Sequence, residues 1–361
     1  MKELRVATVF SGVGAFEQAL FKLHIPYNII FACDTGERYV DIDVERVQRQ
    51  IKELSNRKRE KNISEIYNKV RKPNYVKQSY FANYPIKEKN WFTDIRFING
   101  KEYENKVDIF VGGSPCQSFS AIGKRKGLED TRGTLFYDYA RLISEIKPKV
   151  FVFENVPGML NHDKGKTWET VKSVFESLGY KIYYDVLNSK DYGIPQNRER
   201  LFLVGFKDQN IDFSFPEPFE LKKTMFDFLE KSVATNHYLG KKGFEFVTEE
   251  KYKNRAKVNS TIIRTQKANQ QFNWNGDFVF EKLDPKKHTK DILSRAYIGV
   301  WNGQKGVCRQ LSYRECFRLM GFSDDFKIVV PNIQAYRQSG NSIVVNVLEE
   351  IIKRMQEAKA L

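Results

Sequence analysis

One cysteine, one glutamate and two arginines in this chain have the types and spacing for covalent chemistry on a planar ring. Cys116 stands in the run Gly112-Gly113-Ser114-Pro115-Cys116-Gln117-Ser118-Phe119-Ser120, straight after the β-branched and aromatic stretch 107–111. That stretch reads as a short buried strand, stopped abruptly by two glycines and a proline. In an open α/β sheet, ligands bind in the crevice outside the carboxyl ends of the strands, which is where this cysteine falls. Glu154 closes the next strand pattern, 149–153. Arg198 and Arg200 lead into a later one, 200–206, and are expected to face opposite ways, so that one can reach the same pocket while the other braces the fold. A thiolate so placed could add to an electron-poor ring carbon, while the acid engages a ring nitrogen and an arginine holds a ring carbonyl oxygen. The neighbouring ring carbon then becomes a nucleophile that can take a methyl group from a sulfonium donor. The plainer readings are a small buried cysteine and a capping or salt-bridging glutamate. Flanking Gly, Ser, Pro and Gln argue against an apolar slot for Cys116.

Positioning these groups takes an alternating series of elements. A strand at 6–10 runs through the turn Ser11-Gly12-Val13-Gly14-Ala15 into a helix at 16–23. Such a glycine turn lets a backbone approach a ligand and aims helix N–H groups at it. A second strand, 27–32, ends at Cys33-Asp34, and a third region ends at Thr93-Asp94-Ile95, so each puts an acid at a strand end. Between them, about 43–72, basic residues crowd a broken helical periodicity, which predicts one or two solvated helices inserted at a sheet edge. The polar segment 121–131 has the composition of a mobile lid. A helix at 135–146, a strand at 149–153 and a helix at 167–178 follow, and 181–187 with 200–206 reads as an antiparallel pair. This order is α/β. From about 226 to 297 the alternation stops and Lys/Arg mix with aromatics, predicting a separate, mostly β or irregular domain. Helices return at 312–320, with Gly321 as a stop, and at 343–358 after Gly340-Asn341-Ser342.

A chain of 361 residues suits two domains, and a formal net charge of +15 favours a polyanionic partner such as nucleic acid. No apolar run is long enough to span a bilayer, and Met1 leads straight into the first strand with no signal peptide. Four cysteines without CxxC spacing, and four histidines without a ligand cluster, predict free thiols, a cytoplasmic setting and no metal.

The ordered set of motifs resembles the C5-cytosine-specific DNA methyltransferases. The residues that carry the resemblance run from Phe10-Ser-Gly-Val-Gly through Asp34, Asp94, Gly113-Ser-Pro-Cys-Gln-Ser and Glu154-Asn-Val to Gln196-Asn-Arg-Glu-Arg. They continue with Arg309-Gln-Leu-Ser-Tyr-Arg-Glu-Cys-Phe-Arg-Leu-Met-Gly-Phe and end at Gly340-Asn-Ser. The resemblance covers nearly the whole chain apart from the basic insertion and the variable domain. It implies a Rossmann-like S-adenosylmethionine-dependent methyltransferase fold, a doubly wound mixed sheet with an antiparallel strand at one end. A smaller target-recognition domain accompanies it, and the C-terminal helix packs beside the first motif. The implied division is a catalytic and cofactor domain at 1–225, a target-recognition domain at 226–330 that includes the Arg309–Phe322 motif, and a returning segment at 331–361.

By resemblance, Cys116 attacks cytosine C6 on a loop shaped by Pro115, Glu154 engages N3 and the exocyclic amine, Arg200 lies near O2, and Arg198 braces the cysteine loop. Phe10, Gly12, Gly14, Asp34, Asp94, Ile95, Leu135, Asn341 and Ser342 would surround S-adenosylmethionine, which leaves as S-adenosylhomocysteine. Gln117, Ser120 and Arg132 would meet double-stranded DNA around a flipped base. Arg264, Gln266, Asn269, Gln270 and Gln271 have the side-chain types that read A and G edges. Ala15 in place of a second glycine, Asp34 in place of the commoner glutamate, and Gly36 where a second acid is frequent depart from the family pattern. The implied enzyme is a nucleoid-associated monomer serving a restriction-modification system, with a partner endonuclease that need not bind it. A tRNA C5-cytosine methyltransferase and a catalytically silent DNA-binding relative are the alternatives. The first usually carries a Cys-Phe-Thr signature absent from this chain, and the second sits badly with an intact Pro115-Cys116, Glu154 and Arg200. A Rossmann-type dehydrogenase would need the full glycine fingerprint and leaves the Pro-Cys loop unexplained.

Overall fold

The computed structural model describes residues 3–114 and 135–361. It divides into two compact units, one of Met1–Leu187, Glu199–Glu217 and Val347–Leu361, the other of Asn188–Arg198 and Pro218–Asn346. The division therefore falls at Pro218 rather than at 226, and the return to the first unit at Val347 rather than at 331. The second unit also takes the short segment 188–198, whose strand pairs with residues 263–264, a long-range pairing that local pattern does not reveal.

In the first unit, β1 (Leu4–Val9), β2 (Tyr27–Cys33), β3 (Trp91–Phe92), β4 (Ile109–Gly112), β5 (Val150–Asn155), β6 (Lys181–Asn188) and β8 (Glu199–Phe206) form one sheet in the order β3-β2-β1-β4-β5-β8-β6. The strands from β3 to β5 are parallel, and β8 runs antiparallel to β5. Central parallel strands are covered on both faces, which is why β4 and β5 read as unbroken apolar runs rather than alternating ones. Aromatic rings fill the space beneath α5 (Leu135–Ile146) and α6 (Lys166–Ser177). Phe110 stacks on Tyr139 at 4.9 Å, and Phe151 meets Phe175 at 4.6 Å. The C-terminal α11 (Val345–Glu357) ion-pairs through Glu349 with Lys22 of α1 (Ala15–Lys22), beside the first glycine turn.

The basic insertion forms two helices, α2 (Val44–Ile51) and α3 (Asn56–Asn68), next to edge strand β3. They are not solvated throughout. Ile51, Ile63 and Tyr67 are buried with Phe97, and Arg59 turns inward to the carbonyls of Leu54, Lys52 and Phe97. A further helix, α4 (Tyr75–Asn83), returns the chain to β3.

The second unit holds β7 (Gln196–Asn197), parallel to β10 (Ile263–Arg264), and a four-stranded sheet in the order β12-β13-β11-β9. Those strands are β9 (Ala256–Val258), β11 (Gly276–Lys282), β12 (Gly299–Trp301) and β13 (Gln304–Gln310). Short helices α7 (Lys241–Thr248) and α8 (Lys290–Arg295) join them. Then α9 (Tyr313–Arg318) opens on a Ser312/Glu315 capping box, and the chain turns at Gly321, where φ is +85°. The sequence pattern did not predict α10 (Asn332–Asn341), although Pro331 directly precedes it.

Candidate active site

The register of the parallel strands lines up their carboxyl ends. Val9 pairs with Cys33, Cys33 with Phe92, and Gly112 with Phe153. The residues that follow, the Phe10–Gly14 turn, Asp34, Asp94, Gly113 and Glu154, thus stand along one rim of the first unit. At position 113 a side chain has no room. A Cβ there would lie 2.5 Å from the Glu154 carbonyl oxygen and 3.1 Å from its Oε2, so only glycine lets β4 and β5 end this close together. Asn155 closes the junction by donating from Nδ2 to the Ser114 carbonyl at 3.0 Å.

Arg200 sits near the start of antiparallel β8, diagonally across from Glu154, which itself pairs with Phe202. Its Nε meets Glu154 Oε1 at 3.0 Å, and both side chains stay partly exposed, at 19% and 16%. Residues two apart on one regular strand share a face, so the two arginines diverge because Arg198 lies in the break between β7 and β8. Arg198 turns elsewhere and is buried within the second unit, donating to the carbonyls of Gln266 at 2.7 Å, Ser342 at 2.7 Å and Gly340 at 3.2 Å. Pro115, Cys116, Gln117, Ser120 and Arg132, together with the segment expected to be a lid, lie outside the described residues.

On the cofactor side, Asp34 accepts from Gly12 N at 3.0 Å and Gly36 N at 2.7 Å, tying the first glycine turn to the end of β2. Burial nevertheless pushes its carboxyl above the usual aspartate range. A Cβ at Gly12, where φ is +54°, would meet only the Phe10 carbonyl oxygen at 3.9 Å, whereas Gly14, at φ +77°, is packed against Tyr84, whose ring a Cβ would meet at 2.2 Å. Asp94 is 2% exposed, accepts from Tyr67 Oη at 2.8 Å and ion-pairs with Arg96 at 2.6 Å. Ile95 is buried beside it, and Leu135 is half-buried at the start of α5. Asn341 and Ser342 belong to the second unit, at the end of α10.

Sequence reasoning missed the contribution of the insertion to this rim. From α3, Tyr67 reaches Asp94, and Glu60 accepts from Thr93 N at 2.9 Å and from Thr93 Oγ1 at 2.6 Å. Glu60 is the one acid within the run 57–61, a faint signal hidden by its basic neighbours. Burial raises its pKa to about 7, and the Thr93 hydrogen bonds offset only part of that rise. The folded chain therefore holds this proton more tightly than the unfolded chain does. The stabilisation is complete below the ordinary value of 4.5 and is lost as pH rises through about 7, a change of about 3 kcal/mol. Glu60→Gln should remove that component of the slope, since the amide can accept from Thr93 N–H and donate to Oγ1. Urea unfolding at about pH 5 and about pH 8 checks it: the variant should gain on the wild type at the higher pH.

In the second unit the expected base readers divide. Gln266, Gln270 and Gln271 are buried, with amides donating to the Cys316 carbonyl, to Gln266 Oε1 and Ser339 Oγ, and to the Asp277 carbonyl. Arg264 is tied to Asp277 and to the carbonyls of Asn254, Arg255 and Gly276. Burial and these bonds remove the three glutamines from the side chains able to meet a base edge, a correction to the sequence reading. Asn269 remains exposed.

The sequence model of the C-5 cytosine-specific DNA methylases matches residues 56–357. The chain belongs to this family. Type II methyltransferase M.SsoII of Shigella sonnei is 37% identical over 289 residues, 78% of this chain and 71% of its own. Type II methyltransferase M.HhaI of Haemophilus parahaemolyticus is 36% identical over 283 residues, 77% and 83% of the two chains. Among solved structures, the S. pombe Dnmt2 methyltransferase superposes with a TM-score of 0.67 at 18% identity, covering 98% of this chain and 99% of its own, which supports the fold. This C5-cytosine DNA methyltransferase accordingly uses S-adenosylmethionine as methyl donor and DNA as substrate. The first unit fits that donor: an uncrowded Gly12, with only the Phe10 carbonyl oxygen near its Cβ position, lies beside acids at the ends of β2 and β3. No helix among the described residues is long and apolar enough to cross a membrane, and no group of three or more His, Cys, Asp or Glu among them could hold a metal ion.

Proposed function

We propose that the protein methylates C5 of a cytosine flipped out of a specific double-stranded DNA sequence, through a covalent bond between Cys116 Sγ and C6. The observation that carries this reading is the Glu154–Arg200 pair, held against Gly113, three residues before Cys116. Glu154 holds N3 and the exocyclic amine, which draws electron density from C6 as the thiolate adds, and Arg200 holds O2. Phe10, Gly12, Gly14, Asp34, Asp94, Ile95 and Leu135 would hold the donor, which when bound would supply an electrophilic methyl group to C5; loss of the C5 proton to a base then expels the Cys116 thiolate from C6 and restores the ring double bond. The second unit supplies target recognition, and the net charge of +15 supplies affinity for phosphates. The Type II relatives support a role as the modification enzyme of a restriction-modification system; a cytoplasmic, DNA-associated monomer is the form proposed for it.

Incubation with DNA and methyl donor, followed by bisulfite sequencing, should show 5-methylcytosine in one sequence context. DNA carrying 5-fluorocytosine in that context should trap the wild type as a denaturation-resistant adduct, and should not trap Cys116→Ser. Methylation confined to adenine N6 or cytosine N4 would overturn the reaction assigned, and full activity of Cys116→Ser would overturn the covalent step.

A further inference from the structure

With the buried glutamines removed, the second unit presents a different set of side chains to solvent. Two open clefts, of 370 Å³ and 610 Å³, share Arg255, Phe272 and Asn273 in their walls. The loop that separates them carries three non-glycine residues in the left-handed region, Gln271 (φ 65°), Asn273 (φ 50°) and Trp274 (φ 50°). Asparagine tolerates that region, whereas tryptophan adopts it only where surrounding contacts impose it, and such clusters collect at functional sites. The contacts are present. Gln271 N donates to the Asn275 carbonyl at 2.7 Å, Gly276 N to the Arg255 carbonyl at 2.9 Å, and Gln271 Nε2 to the Asp277 carbonyl at 3.0 Å. The buried glutamine thus builds the loop.

Arg255 is exposed and yet held in place. Its guanidinium lies 5.3 Å from the Phe246 ring centroid and donates to the Asn273 carbonyl at 3.3 Å. Phe246 is in turn stacked on Tyr252 at 3.9 Å and 14°, with Trp274 at 5.2 Å from it. A planar cation fixed on an aromatic platform has surrendered much of its rotamer freedom before binding and keeps donors free for a ligand. A fork of this kind matches O6 and N7 of guanine in the major groove, and an exposed asparagine amide matches N6 and N7 of adenine.

We propose that Arg255 reads a guanine in the recognised DNA sequence and that Asn273, whose carbonyl steadies it, reads an adjoining base pair with its amide. This rests on the second unit being the target-recognition region. The test uses full-length enzyme on a duplex library randomised around the target cytosine, with methylated products sequenced. Arg255→Gln and Arg255→Lys should each lower discrimination at one guanine position about 10- to 100-fold, leaving the other positions unchanged, because lysine keeps the charge without the fork. Asn273→Gly keeps the carbonyl and suits a positive φ, so it should fold and relax a neighbouring position only. S-adenosylhomocysteine affinity should match wild type in all three. A uniform loss across all sequences, with the salt slope reduced by about one, would make Arg255 a phosphate contact and overturn the proposal. So would full specificity in Arg255→Lys, or unchanged discrimination in both Arg255→Gln and Asn273→Gly. A wild type that methylates cytosine without sequence preference would instead overturn the target-recognition reading beneath it.

Discussion

Replacing Glu154 by glutamine should lower the single-turnover rate of methyl transfer to C5 about 10²- to 10⁴-fold, the span of a lost acid–base or charge-stabilising group. The same change should leave the fold almost untouched. Glutamine is nearly isosteric, its Oε1 can still accept from Arg200 Nε, and the backbone packing against Gly113 does not involve the side-chain charge. The Glu154–Arg200 pair is also partly exposed, so its loss as an ion pair should cost no more than about 1 kcal/mol. The measurement is a single turnover with labelled methyl donor at saturating DNA, set beside urea unfolding and S-adenosylhomocysteine affinity. A rate within about threefold of wild type would remove Glu154 from the chemistry, because only groups that act more strongly in the transition state than in the ground state change this step. A large loss in both rate and unfolding midpoint would instead make it a structural acid.

Glu154 could be found from sequence because its position follows from local rules. An unbroken β-branched and aromatic run ends there, as another ends at Gly112, and parallel neighbours place both ends on one rim. The opposite directions of Arg198 and Arg200 come from the break between β7 and β8 at Arg198, since an unbroken strand would put both on one face. What each arginine would meet does not follow from local rules, since Glu154 and the carbonyls of Gln266, Gly340 and Ser342 lie far along the chain. The insertion misled for a related reason. A charge run reads as a solvated face, and apart from the lone negative charge of Glu60 in its basic run nothing local marks Glu60 and Tyr67 as the two residues of α3 that turn toward Thr93 and Asp94. In the second unit side-chain type pointed to Gln266, Gln270 and Gln271, but type does not report burial. The run Asn273-Trp274-Asn275-Gly276 was not singled out in the sequence, and the side chains it displays depend on the tertiary bonds of Gln271 and Arg264.

The largest stability effect should come from Arg309→Leu. Arg309 is 1% exposed on β13, and its guanidinium bridges two buried carboxylates. Nε meets Glu281 Oε1 at 2.6 Å, while Nη1 and Nη2 form a bidentate pair with Glu315 at 2.8 and 2.9 Å. Glu281 also accepts from Lys287 at 2.8 Å and from Tyr238 Oη at 3.1 Å, with His288 Nε2 at 3.0 Å. Glu315 caps α9 through the Ser312 N–H at 2.8 Å. Leucine in place of this arginine leaves both carboxylates buried without their central cation, at a cost of about 3–5 kcal/mol. The sign of the pH dependence should separate this cause from simple loss of packing. In the wild type, burial works to raise the Glu281 pKa, but Arg309, Lys287 and His288 outweigh it and hold the group down at about 2. That carboxylate therefore contributes stability above the ordinary value of 4.5, and the contribution is lost as pH falls toward 2. Without Arg309, burial acts on the Glu281 carboxyl with its largest opposing interaction gone, so the rise in stability between about pH 2 and 4.5 should disappear and stability should instead fall as pH increases above 4.5. Urea unfolding followed by the fluorescence of Trp274 and Trp301 checks both the size and the slope. Replacing Glu281 and Glu315 by apolar residues in the Arg309→Leu background should recover much of the loss, since a buried network converted to packing is often neutral. A deficit that persists in that triple variant would assign the cost to the shape of the arginine site rather than to its charge.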